Sequence, residues 1–528
     1  MLAWVLLAVS LALLVAAFSW IGAPVIGKYM RDAPMYLDGA WRIVNGQTPH
    51  KDFYVYFGDL PFYVAWLGMK LGHPGIAALT YGNIFVMLGA GLAAMAILRR
   101  RTSALYACLF SLFIALLAVA PRALGSPYYC ECYAMIYNRY GEAFLALLGA
   151  ILFLPPDPAL PRSWRDWVET AFAGFCLVLL LFSKLNYFVV GAGFFAISCL
   201  RGWPAFKQAL FGLLSACFFF ALALTLTKIP LSAMWGDFRI MLAAQNAHSR
   251  ALGLASLCRQ YLLFLPIFWL MVWEISRNKK EPRTAWLHFI LVTAIFGSEL
   301  LLVATNTQLG DLPLLALAAL YIAETIRRQT LDASDKGLVI ALRNAVAALL
   351  FLACLIPVFF ADLSSISHSA SMLARGRFVT PKTLTSTRLA DFRFPPLNYT
   401  IAEFAPTQVK FTETMDEGIA LLRRHSDPAM RLAVFLFSNP YQVALGLPPA
   451  EGGAIAWSLA GINQRSHPPL KRLVGDATHI LASGGPDIGN GMGDGFKAAY
   501  GAQWDDLHLE IVEQTEHLTL FKVPSNKP

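Results

Sequence analysis

Apolar residues dominate the first two thirds of the chain in eleven blocks, at about 2–22, 76–98, 103–120, 136–154, 167–183, 186–200, 208–227, 261–275, 285–304, 311–326 and 338–361. Blocks of roughly 15–24 residues are close to the length that crosses a hydrocarbon core as a helix. The stretch Phe182-Ser183-Lys184-Leu185-Asn186-Tyr187 interrupts a longer apolar run. We read it as a reversal of the chain, with one long tilted helix as the alternative. The first block lacks the basic leader of a secretory signal and is longer than such a signal's apolar core, so it reads as an uncleaved first span.

Two regions break this rhythm. Residues 23–75 interleave Tyr, Trp and charged residues, which predicts amphipathic helices lying in the membrane interface. Pro49 and Pro61 divide that loop into pieces. After residue 361 the pattern becomes mixed. Asp416–His425 has helical periodicity, while Leu432–Phe437, Thr478–Ala482, Leu507–Val512 and Leu518–Val523 read as strands, the last two as a hairpin. The turn-rich stretch Asn439–Gly453 is suited to lining a groove. The expected organisation is a transmembrane domain, 1–361, with its outer loop 23–75, followed by an extracytoplasmic α/β domain, 362–528. No internal repeat or low-complexity segment is visible, and the sequon Asn398-Tyr399-Thr400 reads as a chance match.

Composition agrees with this plan. Of 528 residues, 57% are hydrophobic and only 14% charged, which excludes an ordinary soluble domain. Alternate loops between the blocks carry 14 basic residues against five acidic ones, and that excess accounts for the whole chain's net charge of +9. The positive-inside rule places those loops in the cytoplasm, with the amino terminus inside and the carboxyl terminus outside. The basic balance is thus a topology signal and does not point to nucleic acid. Six of the eight cysteines lie in or beside the apolar blocks. Cys130 and Cys132 stand together on the outer side, as a strained disulfide or as two thiols, and no second ligand pair suggests zinc.

With this topology drawn, polar residues gather at the outer ends of the blocks. They include Asp32, Asp38, Asp52, Asp59, Glu131, Tyr137, Asn138, Arg139, Glu142, Lys184, Asn186, Asp237, His248, Arg250, Glu299, Asn306 and Gln308. Carboxylates at a bilayer surface are costly unless paired, solvated or used. Both signs of charge on one face predict a polar cavity roofed by the tail.

The pattern Asp32-x-x-x-Tyr36-x-x-x-Ala40, then Gly46, Pro49, Lys51-Asp52-Phe53 and Gly58-Asp59-Leu60-Pro61, resembles the first outer loop of GT-C glycosyltransferases. These are multi-span enzymes that use polyprenyl-phosphate-linked sugars, such as lipid A aminoarabinose transferases and protein mannosyltransferases. About thirty residues carry the resemblance. His50 and Lys51 stand where the family often has Tyr and Arg, and Asp59 interrupts its usual Gly-Pro.

The resemblance implies transfer of a sugar from a polyprenyl phosphate to a lipid, glycan or protein acceptor at the outer face of a bacterial inner membrane. It also implies Asp32 as general base. An inverting transfer needs one base for the acceptor hydroxyl. A phosphate leaves as a stable anion, so the second carboxyl group of a glycoside hydrolase is dispensable. Cationic or hydrogen-bonding groups must hold that phosphate. Arg139, Lys184 and Arg250 are candidates by topology, with Asn138 as a further ligand.

Plainer roles compete for several of these residues. Asp38 fits an i,i+4 pair with Arg42. Asp52 is placed to orient an acceptor, to bind a metal or to cap the turn after Pro49. The acidic loop offers a possible site for a divalent metal, although no metal ligand set is assigned. The rival function classes are a transporter or flippase, and a non-catalytic subunit of a cell-envelope polysaccharide assembly system.

Overall fold

The computed structural model describes residues 1–157, 164–201, 206–244, 265–277, 282–306, 311–331, 337–400, 402–425, 427–457, 461–483, 499–501 and 503–524. Each of the eleven apolar blocks is occupied by a helix. These are α1 (Leu2–Ile21), α4 (Ala77–Leu98), α5 (Ala104–Val119), α6 (Ile136–Phe153), α7 (Trp164–Ser183), α8 (Leu185–Arg201), α9 (Phe206–Thr227), α11 (Leu265–Arg277), α12 (Pro282–Asn306), α13 (Pro313–Leu331) and α14 (Leu338–Ala374). Six of them, α1, α4, α7, α9, α12 and α14, contain stretches long and apolar enough to cross a membrane. The chain is a polytopic helical membrane protein.

Local chemistry sets the helix ends that matter here. Gly22, at φ 60°, closes α1 with its N–H on the Phe18 carbonyl at 2.8 Å. Ser103 starts α5 by accepting the Tyr106 N–H at 3.3 Å. Between α7 and α8 the chain turns at Lys184. Its N–H bonds back to Leu180 O at 2.9 Å, and its carbonyl accepts the Tyr187 N–H at 3.1 Å. The reversal is real, and the single long helix is excluded.

The first loop folds into α2 (Asp32–Val44) and α3 (Leu60–Lys70), with Pro61 in the first turn of α3, where its missing N–H costs nothing. A side chain at Gly58 would run into the Phe182 carbonyl. Glycine there lets the loop press directly on the end of α7, one residue before Ser183 and two before Lys184. A helix that the sequence did not announce, α10 (Leu231–Ala244), follows α9.

The last helix of the bundle runs past the end of its apolar block. It runs without a break through residue 361 to Ala374, with Pro357 inside it. Its 37 residues reach about 55 Å, well beyond a hydrocarbon core of roughly 30 Å. The polar run after Ala361 stays helical because it packs. Asp362, Ser365 and Ser369 are all buried. Asp362 holds Arg122 at 2.9 Å and Arg139 at 2.7 Å.

The tail beyond Ala374 contains a four-stranded sheet of β1 (Leu432–Phe435), β2 (His479–Ser483), β3 (Glu510–Gln514) and β4 (Leu518–Lys522), in the order β1-β2-β4-β3. The β1/β2 pair is parallel, with Leu432 opposite His479. The two pairs made by β4 are antiparallel, so the expected hairpin of β3 and β4 is present, with an irregularity between Ile511 and Glu513. Helix α15 (Ala405–His425) buries Phe411, Met415, Ile419 and Leu422 against this unit. The short helices α16 (Tyr441–Leu445) and α17 (Leu470–Val474) complete it.

Candidate active site

Helix α2 presents its two acidic residues to different surroundings. Asp38 is buried with Arg42, its i,i+4 partner, at 3.1 Å, and also accepts from Asn439 Nδ2 at 3.0 Å. Arg42 donates further to the carbonyls of Ala450 (3.1 Å) and Gly452 (2.9 Å). Trp41 Nε1 reaches Leu447 O at 2.9 Å. Asn439–Gly453, expected to line a groove, therefore clasps α2. Asp38 belongs to that clasp and not to an open ligand surface.

Asp52 sits in the same seam. It accepts the Thr48 N–H at 2.7 Å, closing the turn around Pro49, and lies 3.3 Å from the exposed Lys51 ammonium. Its carbonyl takes the Gly452 N–H at 2.5 Å. Tyr54 then pairs with the tail through Gly453 O and the Ile455 N–H, and its ring enters the tail's second apolar cluster beside Phe435, Trp457 and Leu473.

Asp32 is the contrasting case. It begins α2 and remains partly exposed. Its carboxylate accepts the backbone N–H of Met135, the residue that caps α6. Met135 occupies the left-handed region at φ 50°, a costly conformation for a side chain of that kind. That turn aims its amide at Asp32 from the positive end of α6. Burial pushes the Asp32 carboxyl up to about 7, against the Met135 bond and the nearby Arg31, which favour its anion.

Aromatic residues connect this carboxylate to Lys184. Tyr36, one turn along α2, lies in the electrostatic neighbourhood of Asp32, Tyr56 and Tyr137. The Phe57 and Tyr137 rings stack at 4.9 Å, and Tyr56 meets Phe57 edge-on at 5.0 Å. The Lys184 ammonium lies over the Tyr137 ring at 5.2 Å. Asp32, Tyr56, Tyr137 and Lys184 each keep partial exposure, while Tyr36, Phe57 and Phe62 are buried beneath them. An acid and a base thus line one aromatic-floored rim.

Beside Tyr137, Asn138 is fully buried with no hydrogen-bond partner at either side-chain atom. One turn further, Glu142 accepts from the Tyr187 hydroxyl at 3.1 Å through Oε1, while its Oε2 has no partner. Glu299 accepts the Leu314 N–H at 3.3 Å and leaves Oε1 unpaired. A buried polar atom without a partner costs roughly 1–3 kcal/mol. Polar ligand groups would relieve that cost.

Arg139 departs from its expected role. Its guanidinium donates to the carbonyls of Leu116, Leu117 and Arg122 and to Asp362, so it caps the end of α5. It is a structural arginine with its donors directed inward. Arg250, His248 and Gln308 lie outside the described residues. Among the described residues, no three His, Cys, Asp or Glu side chains gather as a metal site would require. Cys130 and Cys132 are both free thiols.

Sequence reasoning missed a second ionic centre. His50 Nδ1 lies 3.0 Å from Asp237, which also binds Arg472 at 2.5 Å and accepts the Val55 N–H at 3.2 Å. Arg472 reaches back to the His50 carbonyl at 2.5 Å. The group ties the first loop to α10 and to the tail. Asp59 stands near it, buried, with one oxygen unpaired and its carboxyl raised by burial to about 6.

No family model matches the chain, and no curated protein matches it. Among solved structures it is similar to the crystal structure of ArnT from Cupriavidus metallidurans bound to undecaprenyl phosphate. That similarity has 14% identity and a TM-score of 0.49, covering 99% of this chain and 98% of that one. The apo ArnT structure gives 13% identity and a TM-score of 0.48, over 98% and 97% of the two chains. The archaeal oligosaccharyltransferase AglB from Archaeoglobus fulgidus, in complex with an inhibitory peptide and a dolichol-phosphate, gives 13% identity and a TM-score of 0.37, over 87% and 66%.

Proposed function

We propose that this chain is a GT-C-like membrane glycosyltransferase that moves a sugar from a polyprenyl phosphate to a lipid, glycan or protein acceptor, with Asp32 as the general base. The observation that carries this reading is the Asp32 carboxyl itself. It is partly exposed, held by the Met135 amide and raised to about 7, on the same aromatic rim as Lys184. A base works best when its pKa lies near the operating pH. The first-loop pattern supports the same assignment.

In the reaction, the acceptor oxygen attacks the anomeric carbon as its proton passes to Asp32. The bond from that carbon to the phosphate oxygen breaks, and the lipid phosphate leaves with the electron pair. Lys184 stabilises that developing charge, and Asn138 supplies hydrogen bonds to the donor. Asp38, Asp52 and Arg139 hold the scaffold. In this reading all eleven apolar helices span an inner membrane, the amino terminus is cytoplasmic, and the tail covers the reacting face from the periplasm.

The test is sugar transfer by Asp32→Asn in a strain lacking the native protein. Lipid-linked sugar is followed by mass spectrometry. Donor accumulation with the variant correctly inserted in the membrane supports the reading; restored transfer removes Asp32 from the chemistry.

A further inference from the structure

A separate cleft opens where three segments of the chain meet the projecting end of α14. It is lined by Val25, Gly27, Tyr129, Glu131, His368, Met372, Pro395, Tyr399 and Thr400, and it encloses about 120 Å³. That is below the roughly 300–1,000 Å³ of sites for drug-sized ligands, so it suits a single small ring. None of its lining residues belongs to the Asp32–Tyr137–Lys184 rim.

Its walls are fixed without a ligand. Gly27 N–H bonds to the Glu131 carbonyl at 3.0 Å, Ile26 N–H to Arg393 O at 2.9 Å, and Val25 N–H to Ser369 Oγ at 3.4 Å. Gln408 anchors the Pro395 carbonyl at 2.7 Å. Inside, the buried Glu131 carboxylate meets His368 Nδ1 at 2.7 Å. The imidazole is about one-third exposed and the carboxylate hardly at all. Tyr129 and Tyr399 are exposed at the same cleft, and Arg377 lies over the Tyr399 ring at 4.8 Å.

These features select a ligand class. Among the described residues no lysine or arginine lines the cleft to hold an anion, and the carboxylate already has its imidazole partner, which weakens its pull on a simple cation. What remains is a fixed acceptor–donor pair, a threonine and two amphipathic rings. Neutral polyhydroxylated rings match such a set, because they offer hydroxyls at the edge and apolar faces to aromatic side chains. The position adds a constraint. Met135, whose amide holds Asp32, is four positions beyond Glu131, so the two backbone points lie at most about 14 Å apart. A short oligosaccharide spans such a distance.

We infer that this cleft is a saccharide subsite, holding a neutral ring of the acceptor beside the reacting centre. The acceptor assignment rests on the glycosyltransferase reading; the sugar-binding assignment does not.

Saturation-transfer NMR on the full-length protein in detergent tests it, using methyl glycosides of glucose, galactose, mannose and N-acetylglucosamine as probes. The inference expects transfer to at least one glycoside and unchanged binding in Asp32→Asn. It expects about tenfold weaker binding in Glu131→Gln, the loss of one charge-assisted hydrogen bond. Tyr399→Ala, at an exposed position, should weaken binding as well and serves if Glu131→Gln does not fold. No contact with any glycoside overturns the inference, as does binding indifferent to both cleft variants. Binding lost in Asp32→Asn also overturns it, by placing the sugar at the catalytic rim. If glycosides bind here while Asp32→Asn transfers sugar normally, the subsite stands and the glycosyltransferase mechanism falls.

Discussion

The two ends of helix α2 carry the same kind of side chain to opposite purposes. Near its middle, Asp38 has a cation one turn away and a carboxamide from the tail, so its charge is neutralised where it is buried. At its start, Asp32 has Arg31 beside it in sequence and takes a backbone amide as donor, and burial raises its carboxyl to about 7. One acid secures the tail to the first loop. The other keeps its proton to a higher pH than a free carboxyl does. Six residues of separation suffice, because a helix offers Asp38 the i,i+4 position and denies it to Asp32, whose fourth neighbour is Tyr36.

The largest effect should come from breaking the poised end. Asp32→Asn should lower sugar transfer by about 10²–10⁴-fold while membrane insertion is kept. Transfer is read from lipid-linked donor in membranes. The paired end should respond in the other currency. Asp38→Ala leaves the Arg42 guanidinium buried without its carboxylate, and should cost about 3–5 kcal/mol in denaturant unfolding of the purified protein. Transfer per folded molecule should fall far less than in Asp32→Asn.

Lys184→Met sharpens the contrast on the rim shared with Asp32. Removing one preorganised group from a developing negative charge should cost about 10²–10³-fold in turnover, with little change in stability. The smallest effect concerns stability and pH. The folded Asp32 carboxyl keeps its proton to a higher pH than the unfolded chain, so its contribution to stability declines as pH rises from about 4 to about 7. Asp32→Asn removes that decline. Compared with the native protein, its melting temperature should gain between pH 5 and pH 8, as read by a thermal shift of the detergent-solubilised protein.

Much of this arrangement was legible in the sequence because its causes are local. Apolar block length placed the helices, and the Ser183-Lys184 interruption placed the reversal between α7 and α8. Alternation with turn residues placed β3 and β4 as a hairpin. The Asp38–Arg42 pair followed from spacing alone. What escaped depends on partners distant in the chain. Asp237 meets His50 and Arg472 across 187 and 235 positions, and no periodicity announces such a meeting. Arg139 looked like a ligand because its position at the start of α6 was right. Only the fold shows that its donors turn back to the end of α5. The last helix was expected to end at residue 361 because hydropathy falls there, whereas Asp362, Ser365 and Ser369 keep it going by being buried among neighbours.

The cleft at Glu131 and His368 repeats the lesson at larger scale. Its pair joins residues 237 positions apart, and its walls come from the first loop, the segment before α6, α14 and the tail. Each segment alone reads as an aromatic or polar connector. Together they make a preformed concavity beside the residues that the first-loop pattern singles out.

The most direct test of Asp32 as the base is the pH dependence of kcat/KM for sugar transfer by the purified protein, from about pH 5 to 9. The account predicts one ascending limb with its midpoint near 7, absent from whatever activity Asp32→Asn retains. A flat profile, or an ascending limb that survives the substitution, contradicts it.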